Sequence, residues 1–359
     1  MRAENIPLDL MREFRDGVVI PALPLALNQN RRFDEIHERA LVRYYIDAGI
    51  GGLAVGVHST QFEIRDAGID LFETVLTFAS REIDQYCEKQ GKKILKIAGV
   101  VGKTDQALRE AEFAVSQGYH AVLLSLSAYA DGTIDEMLEH SAKVAEVIPV
   151  IGFYLQTAVG GRVLPYEFWR NFVEIDNVIA VKMAPFNRYQ TFDVVRAVAE
   201  AGKENDIVLY TGNDDNILID LLTPFRVRTS QGEKTIRIMG GLLGHWGMWT
   251  RKSVELMEEI KAIRGKDQIP VEMLTRAAEI TDSNAAFFDA ANGFAGCIPG
   301  IHEVLRRQGL LQGTWCLDPH ETLSPGQSEE IDRVYASYPH LNDDKFVRAN
   351  LQNWITKGE

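Results

Sequence analysis

The chain has 359 residues, 46% hydrophobic and 25% charged, a balance that excludes a disordered chain and leaves room for about two or three small domains or for one large α/β barrel with an appendage. Its 38 basic and 51 acidic residues give a formal net charge of −13, and no Lys/Arg cluster stands out, which argues against a nucleic-acid partner. No apolar run approaches the ~18 residues of a membrane span, no basic-then-apolar leader opens the chain, and Cys87, Cys297 and Cys316 lie far apart; a cytoplasmic protein with a small-molecule ligand and no membrane attachment is expected.

Short apolar runs alternate with helical stretches along most of the chain. The predicted strands are 17–27, 52–58, 94–101, 121–127, 150–156, 178–183, 207–211 and 236–241. The amphipathic segments between them are 34–48, 72–90, 104–117, 134–147, 166–175, 189–201 and 216–222. Gly49, Gly91, Gly118 and Gly202 close four of these, where a left-handed C-cap wants glycine. Eight βα units predict an α/β fold, a (β/α)8 TIM barrel. An open doubly wound sheet would carry a Gly-rich phosphate turn after its first strand, but here that strand runs into Pro21-Ala22-Leu23-Pro24 and no GxGxxG follows. Residues 226–234 read as a polar, flexible insertion before the last strand. Beyond Trp246 the strand signal stops, and 251–264, 271–291, 301–309, 329–338 and 344–354 read as helices. The expected domains are therefore a catalytic barrel over 1–249 and a helical domain over 250–359 packed on it.

In such a barrel, chemistry sits where strands end. In the sixth strand, alternation puts Ile179, Val181 and Met183 toward the helices and Val178, Ala180, Lys182 and Ala184 into the barrel. A lysine there is costly to bury as a cation, so its pKa falls and a neutral amine becomes able to attack a carbonyl. In the fifth strand, the same count puts Ile151, Phe153 and Leu155 outward and Val150, Gly152, Tyr154 and Gln156 inward, with Gly152 leaving space beneath the Tyr154 ring. A phenol beside the lysine would carry protons to and from a carbinolamine.

These segments resemble the dihydrodipicolinate synthase/N-acetylneuraminate lyase family of class I, Schiff-base aldolases. The resemblance runs from about Phe14 to the region of Pro325 and includes Gly17-Val18-Val19-Ile20-Pro21 and Ile97-Ala98-Gly99. Ile148-Pro149-Val150-Ile151-Gly152-Phe153-Tyr154 is similar to the strand that ends in the family's catalytic tyrosine. Ile179-Ala180-Val181-Lys182 is similar to the strand carrying its Schiff-base lysine, and Tyr154 and Lys182 are 28 residues apart, as that motif pair requires. The resemblance implies that Lys182 condenses with a 2-oxo acid, commonly pyruvate, that Tyr154 is the acid/base, and that no cofactor is needed because the iminium is the electron sink. It also implies a homotetramer, a dimer of dimers, in which Tyr129 of Ser127-Ala128-Tyr129-Ala130 stands in for a tyrosine donated across an interface.

The departures are local. In Gly56-Val57-His58-Ser59-Thr60-Gln61 the family's relay threonine aligns with Val57, whereas alternation points His58 inward, so His58 or Ser59 is expected to take over part of the role beside Gly56. The synthase's carboxylate-binding arginine aligns with Val159, which makes dihydrodipicolinate synthase itself an unfavoured identity; Arg162, three positions on, is the candidate to meet an anionic group of the substrate. Thr211-Gly212-Asn213-Asp214-Asp215 resembles a Gly-Asp-Asp turn at the substrate pocket, although Asp214 or Asp215 would equally cap a helix. His245 and Trp246 are bulky for the end of strand eight. No histidine pair has metal-site spacing, so no metal is expected. Aldol cleavage or dehydration of a 2-oxo acid is the expected activity, and the alternative is a non-catalytic paralogue that binds a small carboxylate or a protein partner.

Overall fold

The computed structural model describes residues 1–355. In chain order the first elements are α1 (Leu8–Asp16), β1 (Val19–Pro21), α2 (Glu35–Ala48), β2 (Gly52–Val55), α3 (Phe72–Gln90), β3 (Leu95–Val100), α4 (Thr104–Ser116) and β4 (Ala121–Leu124). Next come α5 (Ile134–Val147), β5 (Val150–Leu155), α6 (Tyr166–Phe172), β6 (Val178–Ala184), α7 (Arg188–Ala201), β7 (Val208–Thr211) and α8 (Ile217–Leu222). The chain continues through β8 (Phe225–Thr229), β9 (Gly232–Ile236), β10 (Ile238–Leu243), α9 (Thr250–Ile263), α10 (Glu272–Phe287), α11 (Cys297–Arg307), α12 (Gln327–Ser337) and α13 (Asp344–Trp354). The fold is a (β/α)8 barrel, its eight parallel strands being β1 to β7 and β10, with a helical C-terminal region. No helix among the described residues is long and apolar enough to cross a membrane.

Contacts group the residues into two compact units: Met1–Val18 with Leu95–Leu242, and Val19–Ile94 with the chain from Leu243 onward. In the first, parallel strands follow the order β10-β7-β6-β5-β4-β3, the arrangement that right-handed βα crossovers produce. In the second, the Leu23 N–H donates to the Ala54 carbonyl at 2.8 Å, continuing the parallel neighbourhood of β1 and β2. Gly49, Gly91 and Gly202 are left-handed C-caps, as predicted; Gly118 (φ 74°) lies one residue past the cap of α4, which is Gln117.

Two elements depart from the sequence reading. Residues 226–234 are not a flexible insertion: β8 and β9 form an antiparallel ribbon, Phe225 opposite Ile236. Alternation explains it, since Val227 is buried while Arg226 and Arg228 face solvent, and Phe225 packs 6.3 Å from Phe192 of α7. Helix α1 was not predicted. Its Phe14 ring stacks on Tyr210 of β7 at 4.6 Å, and the Tyr210 hydroxyl donates to the Phe14 carbonyl at 2.7 Å and accepts from the Val18 N–H at 3.2 Å.

The face of each central strand follows from what its side chains touch. A Cβ on Gly152 would lie 2.5 and 2.8 Å from ring atoms of Phe172 and 3.3 Å from Trp169, so this strand position is glycine because α6 fills the space. Gly152 and its alternate Tyr154 therefore face the helices, and Phe153 faces the other way. Beside them, β6 contains a register shift: Val150 pairs with Val178, but Ile151 pairs with Ala180 and Phe153 with Lys182. That one extra residue in β6 exchanges the parity between the strands, so odd positions of β5 share a face with even positions of β6.

Candidate active site

Lys182 points where alternation predicted. Its cross-strand neighbours are Phe153 in β5 and Tyr210 in β7, and its ammonium nitrogen lies 4.3 Å from the centre of the Phe153 ring. Gly212 follows β7 and lies against the lysine stem; a Cβ there would be 2.6 Å from Lys182 Cε and 2.8 Å from Ala184 Cβ. The side chain is only 9% exposed. Burial pushes the Lys182 amine down to about 8 from the usual 10.5, although the Asp214 carboxylate opposes the fall. Displacing a lysine pKa that far costs the fold about 3 kcal/mol whenever the amine is charged, a burden kept where a reactive amine is useful.

The loop after β7 is held from the helix side. Thr211 Oγ1 donates to Asp220 Oδ2 at 2.7 Å, and Asn213 Nδ2 donates to the same oxygen at 2.9 Å and to Thr191 Oγ1 at 3.2 Å. Asn213 Oδ1 accepts from the Phe186 N–H at 3.0 Å, and Arg188 donates to the other Asp220 oxygen. Asp220, buried in the otherwise apolar turn Ile217-Leu218-Ile219-Asp220-Leu221-Leu222, is the hub. The sequence reading missed this residue, and a lone carboxylate inside an apolar helix was the available signal. Asp214 does not cap α8, whose N-cap is Asn216 without a side-chain cap bond.

Tyr154 requires a correction. It does not project beside Lys182: its ring lies 5.2 Å from Trp169 of α6, and its hydroxyl accepts the Leu164 N–H at 3.1 Å. The ring beside the lysine belongs to Phe153, which has no proton to move. The spacing of 28 misled because the extra residue in β6 moves the cross-strand partner from 154 to 153. Tyr154→Phe is accordingly expected to leave carbonyl chemistry at Lys182 untouched. It should lower stability by about 1–2 kcal/mol, since the Leu164 N–H loses its buried acceptor, and thermal denaturation beside an activity assay checks both halves.

Tyr129 is likewise held within its own chain. It is 7% exposed, its hydroxyl shares a 2.9 Å hydrogen bond with Thr104 Oγ1, its ring lies 4.7 Å from that of His140, and the Lys103 ammonium sits 3.8 Å above it. Within this chain its hydroxyl and ring are thus already engaged. Arg162 braces the same loop, donating from Nη1 to the carbonyls of Tyr129 and Gly132, both at 2.7 Å. The structure thus brings together Lys182, Gly212 and Asp214, and separately Tyr129 with Arg162.

Gly56, His58 and Ser59 belong to the other unit. There β2 ends at Val55, and residues His58–Thr60 form a short 3-10 turn, so strand alternation no longer applies to Val57 and His58. Thr60, not among the predicted residues, organises this loop: its hydroxyl accepts the Gly56 N–H at 3.0 Å and donates to the Leu23 carbonyl at 2.7 Å. Ser59 is buried and His58 half-buried, its ring 5.9 Å from Phe62. Among the described residues no three His, Cys, Asp or Glu side chains converge as a metal would need.

The sequence profile of the Dihydrodipicolinate synthetase family matches residues 16–224. N-acetylneuraminate lyase 2 of Escherichia coli O6:H1 is 22% identical over 321 residues, covering 88% of this chain and 90% of its own. A 4-hydroxy-tetrahydrodipicolinate synthase of Campylobacter concisus is 29% identical over 130 residues, 36% of this chain and 41% of its own. Among solved structures, dihydrodipicolinate synthase from Oceanobacillus iheyensis superimposes with a TM-score of 0.69 at 16% identity, covering 92% of this chain and 99% of that one. N-acetylneuraminate lyase from Fusobacterium nucleatum complexed with pyruvate gives 0.66 at 17% identity, with 90% and 97% covered.

Proposed function

The chain belongs to the Dihydrodipicolinate synthetase family, and from that premise we propose that it is a class I lyase whose Lys182 forms a Schiff base with a 2-oxo acid such as pyruvate. The observation that carries this reading is a lysine amine buried on the face of β6 turned away from α6, with its pKa drawn down and a carboxylate near it. The pyruvate complex of the Fusobacterium relative supports the choice of ligand class. Once formed, the iminium withdraws electrons from the neighbouring carbons and permits aldol cleavage or loss of water there. Gly212 gives the amine its space. A homotetramer in the cytoplasm, a barrel ending near 249 and a helical domain from 250 go with this reading.

The pH dependence of borohydride trapping tests it. Only the neutral amine attacks a ketone, and the Lys182 pKa is lowered by burial to about 8. The trapping rate with pyruvate should therefore rise about tenfold per pH unit below 8 and level off above it. At pH 7 roughly a tenth of the sites are neutral, against fewer than one in about a thousand for an exposed lysine. A rate still climbing through pH 10 would mean an ordinary solvent-exposed amine and would contradict the reading.

Two observations favour the second reading, a barrel that binds a carboxylate without turning it over: Phe153 stands beside the lysine where a phenol was expected, and Val57 aligns with the family's relay threonine. A chain that takes pyruvate reversibly, with no adduct on reduction with any of a panel of 2-oxo acids, would decide for it.

A further inference from the structure

We infer that the proton carrier of this site is the Asp214 carboxylate, acting at Lys182 Nζ and on the bound 2-oxo acid in the place a phenol would otherwise fill. The inference rests on the Schiff-base reading of Lys182 and adds to it the group that moves the protons.

The placement follows from how the end of β7 is anchored. Thr211 and Asn213 both turn to the helix side, tied to Asp220 of α8 and Thr191 of α7. Their alternates turn the other way: Tyr210 is in register with Lys182, and Gly212 lies against the lysine stem. Asp214 follows in the turn after β7, two residues past the Gly212 that packs on the lysine stem; it is 8% exposed, and its charge acts on the Lys182 amine. Because Asn213 also holds the Phe186 N–H, the backbone that carries Asp214 is fixed from two elements, the support a proton carrier needs.

The other proton-bearing groups of this unit that were candidates are committed elsewhere. The Tyr210 hydroxyl is tied to Phe14 and Val18, the Tyr154 hydroxyl faces α6, and the Tyr129 hydroxyl is held by Thr104. Asp220 accepts from Thr211, Asn213 and Arg188, while Asp215 lies 3.7 Å from the Arg188 guanidinium. Asp214 is the charged group that acts on the Lys182 amine, while the cross-strand neighbours of Lys182 are Tyr210 in β7 and Phe153 in β5.

The chemistry balances with this one carboxylate and one proton from solvent. Neutral Nζ attacks the ketone carbon, a C–N bond forms, and the carbonyl π pair moves to oxygen. Asp214 carries a proton from the now cationic nitrogen to the alkoxide, giving a neutral carbinolamine; a second proton, taken by Asp214 from solvent, passes to the hydroxyl, which leaves as water while the nitrogen lone pair closes the iminium. The regenerated carboxylate then removes a proton from the adjacent carbon, and that C–H pair becomes the C=C bond of an enamine as the iminium π pair returns to nitrogen.

The test uses the whole protein with pyruvate as probe. Borohydride adduct formation and deuterium exchange into the pyruvate methyl group, followed by NMR, are compared in wild type, Asp214→Asn, Asp214→Glu and Tyr154→Phe. Asp214→Asn should still be trapped, with the acid limb of trapping moved below that of wild type, because the carboxylate that favours the ammonium is gone. Its methyl exchange per trapped site should fall by about 10²-fold or more; Asp214→Glu should recover part of it, and Tyr154→Phe should match wild type. Exchange in Asp214→Asn equal to wild type, or lost in Tyr154→Phe instead, overturns the inference while the adduct still upholds the Schiff base. A wild-type protein that no 2-oxo acid labels overturns both.

Discussion

Replacing Lys182 with Ala is expected to reduce deuterium exchange into pyruvate to the solution background, a loss on the order of 10⁴-fold or more. The expectation follows from the number of roles that one nitrogen fills: nucleophile, tether and electron sink, none of which a neighbouring side chain can supply. Lys182→Arg should not rescue it, since a guanidinium keeps its proton at any accessible pH. The proper control is Lys96, the other lysine buried in a strand of the same unit. Its ammonium lies 3.4 Å from where a Cβ on Gly118 would sit, at the start of β3 rather than where the strands end. Lys96→Arg should therefore keep the exchange. Equal losses in the Lys182 and Lys96 variants would point to a general effect on folding instead of chemistry.

The second large effect separates two glycines. In Gly212→Ala the added methyl falls 2.6 Å from Lys182 Cε and 2.8 Å from Ala184 Cβ. The lysine stem yields more easily than a strand, so the amine moves, and a displacement of about an ångström can cost about 10²-fold in rate. Stability should fall by only about 1 kcal/mol. In Gly152→Ala the methyl meets the Phe172 ring at 2.5 Å, with Trp169 behind it. Those rings are packed and cannot swing aside, so the cost is a stability loss of about 1–3 kcal/mol with exchange retained once the protein is folded. Thermal denaturation paired with the exchange assay reads both, and a Gly152→Ala variant that loses chemistry but not stability would mean that the faces of β5 are assigned the wrong way round.

The barrel was legible because eight apolar runs, each followed by an amphipathic helix, admit few architectures, and glycines such as Gly49 and Gly202 mark helix ends through their backbone alone. Lys182 was legible for a related reason: small alternating neighbours, Ala180 and Ala184, leave a lysine nowhere to go but inward. Tyr154 was not. Period-two alternation divides a strand into two faces but does not say which one is inside, and Gly152 fits either answer: space beneath a ring on its own strand, or space for rings from α6. The deciding fact is a register shift between β5 and β6, a relation between strands that no single strand displays. Asp220 and Thr60 escaped for the same reason, because each acts by binding partners from other elements, Thr211 and Asn213 in one case, Gly56 and Leu23 in the other. The ribbon of β8 and β9 shows a milder version: its alternation was present, but its arginines made it read as loop.

Reduction of the pyruvate-treated protein with borohydride, followed by proteolysis and mass spectrometry of the peptide containing residue 182, bears most directly on the central claim. Schiff-base chemistry requires a reduced pyruvyl adduct on Lys182 and on no other lysine, absent when pyruvate or borohydride is omitted. Labelling spread over exposed lysines with Lys182 unmodified, under conditions where a known Schiff-base aldolase is labelled, would contradict it.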